Sequence, residues 1–315
     1  MKKFELTSEF ITNIFGTKLF RIKALVEFGN VKAGELGGYI EKEENLSQYG
    51  NAWVCDDAWV CGNARVYGDA RVYGNARVCG NARVCDDAEV CGNARVYGDA
   101  WVCGNARVYG DAEVCGNARV YGDARVYGNA RVCGNARVCD DAEVCGNARV
   151  YGDAWVCGNA RVYGDAEVCE DARVYGNAWV CGNARVYGDA EVCEDARVYG
   201  NARVCGNARV CDDAEVCGNA RVYGDAWVYG DAWVCGNARV YGNDDFATVH
   251  GFGSEHRTTT FFRLKDGNIG VRCGCFYGNL SEFRKKVVET HGETKKAKEY
   301  LMIADLMEFR FSDNS

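Results

Sequence analysis

Proline is absent from this sequence of 315 residues, which excludes Pro-rich linkers as spacers between domains. No run of eighteen apolar residues occurs, and no apolar stretch follows Met1-Lys2-Lys3. These two absences predict neither a membrane-spanning helix nor a secretion signal, and so no membrane partner. Without an export signal, the 20 cysteines are expected in the reducing setting of a cytoplasm. Residues 50–241 contain no lysine, no leucine and no histidine. That whole stretch therefore lacks the side chain most often used as a base at neutral pH.

Charge of one sign is also scarce where it would matter. The net charge is −8, and residues 50–241 hold 19 Arg against 27 Asp plus Glu, so the excess of acid lies entirely within them. A nucleic-acid partner along this stretch is disfavoured, because phosphate contacts need a surplus of basic groups.

What fills the stretch is a six-residue message. "GNARVCGNARVCDDAEVCGNARVYGDAWVC", residues 74–103, is typical of 32 uninterrupted hexads of the form Gly-[Asn/Asp]-Ala-[Arg/Trp/Glu]-Val-[Cys/Tyr], with Asp or Glu sometimes replacing Gly. Ala and Val never change. They stand two apart, so in an extended chain they share one face and the variable fourth and sixth positions share the other. The invariant pair is predicted inside and the changeable columns outside. Gly followed by Asn or Asp closes each strand, since these residues tolerate the left-handed backbone of a tight corner. Short strands with corners at fixed intervals describe a β-solenoid.

The charges decide how many hexads make one coil. Glu occupies the fourth position at residues 89, 113, 143, 167, 191 and 215, and 11 of the 12 residues lying 18 away from these are Arg. At separations of 12 or 24 residues, half or fewer are Arg. Opposite charges on adjacent strands contribute about 0.2–1 kcal/mol each, and like charges cost a similar amount. A triangular coil of 18 residues follows, with Glu89 between Arg71 and Arg107, and Trp101 between Arg83 and Arg119 in cation–π geometry. Residues 74–115 recur identically at 128–169, so part of this agreement reflects duplication. The hexads make about eleven coils, a rod roughly 50 Å long at strand spacing.

The Val-x-Gly-Asn-Ala-x hexad resembles the hexapeptide-repeat proteins, which implies a left-handed parallel β-helix. Handedness rests on that resemblance, because parallel crossovers are ordinarily right-handed. "NVKAGELGGYIEKEENLSQYGNAWV", residues 30–54, resembles the segment that leads into the helix of the YdcK-like proteins. The last 65 residues lie outside the resemblance. It implies a transferase only through shared fold, and fold does not carry function.

Both ends differ from the repeat. Residues 1–49 contain one strand, residues 18–28, with Phe20, Ile22, Ala24, Val26 and Phe28 on one face. It is expected to cover the open edge of the first coil as a β cap. The glycines of residues 34–39 read as turn elements. Residues 242–253 read as a last irregular coil. A hairpin around Asp266-Gly267-Asn268 and two amphipathic helices, one with Leu280, Phe283 and Val287 spaced 3 and 4 apart, complete a ββαα cap over residues 254–315. Three parts result: a capping segment 1–49, the β-helix 50–253 and the C-terminal cap.

Candidate chemistry is sparse. His250, His256 and His291 all lie beyond the hexads, and no nucleophile is paired with them in the sequence. His250 is the best catalytic candidate. Eighteen Cys share the sixth column with 14 Tyr. At 18 residues per coil six pairs stack: Cys61 with Cys79, Cys85 with Cys103, Cys115 with Cys133, Cys139 with Cys157, Cys193 with Cys211, and Cys217 with Cys235. Each pair supplies two of the four ligands a structural zinc wants, so no metal or cofactor is expected there. Reduced thiols rather than disulfides are expected. Cys273 and Cys275, two thiols on one face of a strand, are the remaining metal candidates. Trp53, Trp59, Trp101, Trp155, Trp179, Trp227 and Trp233, interleaved with Arg and Tyr, form the expected interaction surface, since these residue types are enriched at protein interfaces. The reading is a non-enzymatic scaffold or interaction protein of bacterial or phage type with a protein partner or self-association. The alternatives are an acyl- or sugar-modifying transferase and, third, an acidic nucleic-acid mimic that occupies a DNA-binding protein.

Overall fold

The structure, a computed structural model, describes residues 1–252 and 257–312. The expected boundary between residues 253 and 254, and His256, lie outside the described residues. The chain falls into two compact units, Met1–Glu170 and Asp171–Ser315, with the division inside the hexad run.

Three strands precede the hexads: β1 (Phe4–Thr12), β2 (Lys18–Ala24) and β3 (Leu36–Ile40). The hexads then give 32 two-residue strands, from β4 (Trp53–Val54) to β35 (Arg239–Val240). Within each unit these strands pair in parallel at a spacing of 18 residues, as in Glu89 opposite both Arg71 and Arg107. In the first unit the three ladders start at Trp53–Val54, Trp59–Val60 and Arg65–Val66. In the second they start at Arg173–Val174, Trp179–Val180 and Arg185–Val186. The solenoid with an 18-residue coil, about eleven coils in all, is thus what the charges foretold. Every Ala and Val of the hexads is fully buried, because the two share the inward face at each step.

The corners need a left-handed backbone. Gly98, for instance, has φ +73, and a Cβ there would sit 3.0 Å from the Gly116 nitrogen of the next coil. Six corners nonetheless carry Asp or Glu at positive φ: Asp56, Asp86, Asp140, Glu170, Glu194 and Asp212. In four of them the carboxylate offsets the strain by accepting the next coil's glycine N–H, as in Asp56 from Gly74 at 2.9 Å.

Around each strand pair, N–H groups donate to carbonyls of the following coil, as in Trp59 to Ala76, while parallel pairing sends the valine N–H back to the preceding coil. Most edge groups of the first coil therefore lack donors, and most of those of the last lack acceptors. Residues 1–49 supply the donors. Tyr39 and Glu41 N–H reach Ala58 and Val60, and Ser47 N–H reaches Val66. The Asn45 amide reaches Gly62 and Ala64, and the Lys3 amine reaches Gly50 and Ala52.

The edge is covered by β3, which pairs in parallel with Trp59–Val60, and not by the strand expected from residues 18–28. That strand stops at Ala24 and pairs antiparallel with β1 and β3. A bulge between Arg21 and Lys23 shifts its register, so its fully buried residues are Leu19, Ile22 and Ala24. Two of the presumed turn glycines, Gly37 and Gly38, lie inside β3. A Cβ on Gly37 would be 2.6 Å from Ile22 and Trp53, and one on Gly38 would be 2.4 Å from the Ala58 carbonyl.

In the second unit the acceptors come from side chains. Trp227 N–H donates to Asn243 Oδ1, Trp233 N–H to Thr260 Oγ1 and Tyr241 N–H to Asp245 Oδ2. The cap sheet has four antiparallel strands, not the hairpin alone: β36 (Phe246–Val249), β37 (Thr259–Arg263), β38 (Ile269–Cys273) and β39 (Phe276–Asn279). Residues 246–249, read as part of a last irregular coil, instead pair with β37. Helix α1 (Leu280–His291) starts at a capping box of Asn279 and Glu282 and buries Leu280, Phe283 and Val287. Helix α2 (Lys295–Phe311), capped by Thr294, buries Ala297, Tyr300, Ala304, Met307 and Phe311 against the same core. No helix among the described residues is long and apolar enough to cross a membrane.

Candidate functional site

The fourth-position column forms ladders of charge and aromatic rings on the outer faces. Glu113 accepts from Arg95 at 3.4 Å and Arg131 at 3.5 Å. Trp101 lies between Arg83 and Arg119, whose guanidinium carbons stand 4.7 and 5.4 Å from the ring centre. Trp59, Trp155 and Trp179 face Arg77, Arg137 and Arg197 respectively.

The expected tryptophan surface breaks at both ends. Trp53 is only 3 % exposed, because Phe4 and Phe28 of the N-terminal segment pack edge-on against its ring. It belongs to a core and offers nothing to a partner. Trp233 is covered by the cap: Arg272 lies 3.6 Å over its ring, and its indole N–H points at Cys217 Sγ, 3.1 Å away. Trp227 is 46 % exposed. With Tyr229, Phe246, Leu306, Met307 and Phe309 it lines a groove of about 780 Å³ in the second unit.

The six thiol pairs stack as the coil length requires. Cys193 and Cys211 form a disulfide, their Cα atoms 4.7 Å apart, where reduced thiols were expected. Adjacent strands hold the two Cα atoms within the range a disulfide spans. In the other five pairs, hydrogen bonding between the facing thiols is the leading cause of an upward pKa shift in one member. That bond stabilises one thiolate of each pair and raises its neighbour. It holds Cys139 at about 7 beside Cys157 and Cys115 at about 7 beside Cys133. At Cys217, lowered to about 6, the Cys235 thiol is joined by donors from Trp233 and Tyr199.

Counting thiols alone gave each pair two ligands, and that count missed a third. Cys85, Asp86 and Cys103 bring three ligand atoms within 4.8 Å of one another, and Cys139, Asp140 and Cys157 do the same. The overlooked signal is the aspartate that replaces glycine directly after the first cysteine of the pair.

The remaining candidates are less assembled. Cys273 ends β38, accepting from the Thr259 hydroxyl at 3.2 Å. Cys275 is exposed in the two-residue turn between paired Cys273 and Phe276, so the two thiols do not share a strand face as expected. A left-handed Gly274 (φ +56) opens that turn. His291 stacks on Tyr300. His250 does meet a hydroxyl, contrary to the sequence reading: its Nδ1 is 3.0 Å from Thr258 Oγ1. Thr258 in turn donates to Asp231 at 3.2 Å. Among the described residues the carboxylate holds the hydroxyl and not the imidazole, unlike the orienting acid of a catalytic triad.

The YdcK β-solenoid repeat matches the chain at eight stretches, residues 58–74, 64–80, 88–104, 112–128, 124–140, 142–158, 196–212 and 214–230. No curated protein matches it.

Proposed function

We propose, from the premise that this chain is a β-solenoid of YdcK-type repeats, a non-enzymatic protein-interaction scaffold. The proposal includes the left-handed winding that the hexapeptide resemblance implies, and a cytoplasmic setting. The observation that carries it is the groove of Trp227, Tyr229, Phe246, Leu306, Met307 and Phe309. Phe309 is 76 % exposed, with Leu306 and Met302 also open on the same helix. Open aromatic side chains, with Arg310 also lining the groove, match the composition of interface cores. The occupant is an apolar protein segment, supplied by a partner or by a second copy. The tightly paired Arg and Glu ladders act as the rigid support.

The test is light scattering and cross-linking of the purified chain beside Trp227→Ala/Phe309→Ala. Concentration-dependent association that the double substitution weakens at least tenfold supports the reading, and a strict monomer at high concentration removes self-association. A transferase is the second reading, favoured by the contact of His250 with Thr258. Saturable acetyl-CoA or sugar-nucleotide binding that His250→Ala abolishes would replace the scaffold with it.

A further inference from the structure

We propose that the corners Cys85/Asp86/Cys103 and Cys139/Asp140/Cys157 are two binding sites for a thiophilic divalent cation of the zinc class. Each corner gathers two sulfurs and a carboxylate oxygen within 4.8 Å. Zinc holds thiolates at about 2.3 Å and carboxylate oxygen at about 2.0–2.2 Å. Tetrahedral angles then place the ligand atoms about 3.5–3.8 Å apart, so side-chain rotation closes the site without moving the coil. Three protein ligands leave a fourth position for water.

The carboxylate is what separates these corners from the other thiol pairs. Cys61 and Cys115 are each followed by a glycine, and their pairs have no third ligand at the corner. Where the aspartate follows a cysteine that meets a tyrosine 18 residues on, at Asp56 and Asp212, it takes the next glycine's N–H at 2.9 Å. At Asp86 and Asp140 the same bond is 3.2 Å, and Asp86 Oδ2 also takes the Cys85 thiol at 3.9 Å. The Asp86 carboxylate is thus shared between the backbone and a sulfur.

The surroundings suit a charged centre. The Tyr67 hydroxyl hydrogen-bonds Cys85 and the Tyr121 hydroxyl hydrogen-bonds Cys139. Arg119 lies near Cys103 and Arg137 near Cys139, opposing the charge that two thiolates and a carboxylate leave around a divalent ion. Cys85 and Cys139 are buried, while both aspartates are exposed, which gives the ion a route in. Binding converts two thiols to thiolates, so each site releases up to two protons to solvent. The third copy of the pattern, Cys193/Glu194/Cys211, has its sulfurs joined to each other and offers them to no cation in that state.

The experiment is titration of the full chain carrying Cys193→Ser, so that the reductant cannot free a third thiol pair, kept under a phosphine reductant and freed of metal by chelation, with Co(II) and then Zn(II). Two equivalents per chain are expected, with a sulfur-to-cobalt charge-transfer band, visible tetrahedral bands and proton release. Asp86→Asn/Asp140→Asn keeps an acceptor for Gly104 and Gly158, so folding is preserved, and it should weaken binding at least tenfold. Cys85→Ser/Cys139→Ser should abolish the charge-transfer band. Cys61→Ser/Cys115→Ser should leave two equivalents. No uptake by the Cys193→Ser chain overturns the proposal. So does uptake unchanged by the two asparagines, or a stoichiometry that falls when Cys61 and Cys115 are replaced. None of these readouts depends on the scaffold reading.

Discussion

Lys3 does at one residue what a whole coil does elsewhere. Its amine donates to the carbonyls of Ala52 and Gly50 and lies over the Phe28 ring. Burial makes the charge costly and lowers the amine to about 8, with Asp69 partly opposing the shift. Below that pH the folded state carries a desolvated charge. Between about 8 and 10.5 the folded amine is neutral while the unfolded one is still charged, so stability rises with pH across this window. The gain is at most about 3 kcal/mol. Cysteines and tyrosines raised by burial pull the other way, so the effect must be read as a difference. Lys3→Met should therefore be less stable than the native chain by a margin that widens from about pH 7 to about pH 10 in urea unfolding. A margin that stays constant would mean that the amine titrates as if it were in water.

At the scale of elements, the information that fixed the coil is the stacking of unlike side chains. Glu113→Arg would turn two attractive neighbours, Arg95 and Arg131, into repulsive ones, at a cost of about 1–3 kcal/mol. Because these groups face water, the loss should shrink between low and high salt, and equal urea midpoints for both chains at low salt would contradict the ladder. The solenoid was legible because period, inward face and charge register all recur and so average over 32 strands. At the ends the two C-terminal helices were legible from their apolar spacing, but the features that occur only once were not. Gly37 and Gly38 look like turn residues until Trp53 and Ala58 are seen pressing on them. Trp53 reads as one more outer ring until Phe4 and Phe28 cover it. The Cys–Asp corners escaped for a different reason. Asp was read as a corner residue alone, and only the backbone at φ 57 turns its carboxylate toward the sulfurs.

At the scale of the whole molecule, the two ends of the hexad run differ, because most open edge groups of the first coil are acceptors and most of those of the last are donors. The first coil presents carbonyls, met by Lys3, Tyr39, Glu41, Asn45 and Ser47; the last presents N–H groups, met by Asn243, Asp245 and Thr260. These two edges complement each other and neither complements itself in parallel pairing. Removing one cap should therefore fray the exposed coil without building long assemblies, since the matching edge on every other chain is still covered. Removing both caps, to leave residues 46–241, frees each end to continue the next chain's ladders, a head-to-tail contact that does not close. Scattering from the doubly trimmed chain should grow with concentration and time toward elongated particles, while residues 1–241 and 46–315 each stay small. If either singly trimmed chain forms long particles as readily as the doubly trimmed one, edge polarity is not what the two caps guard.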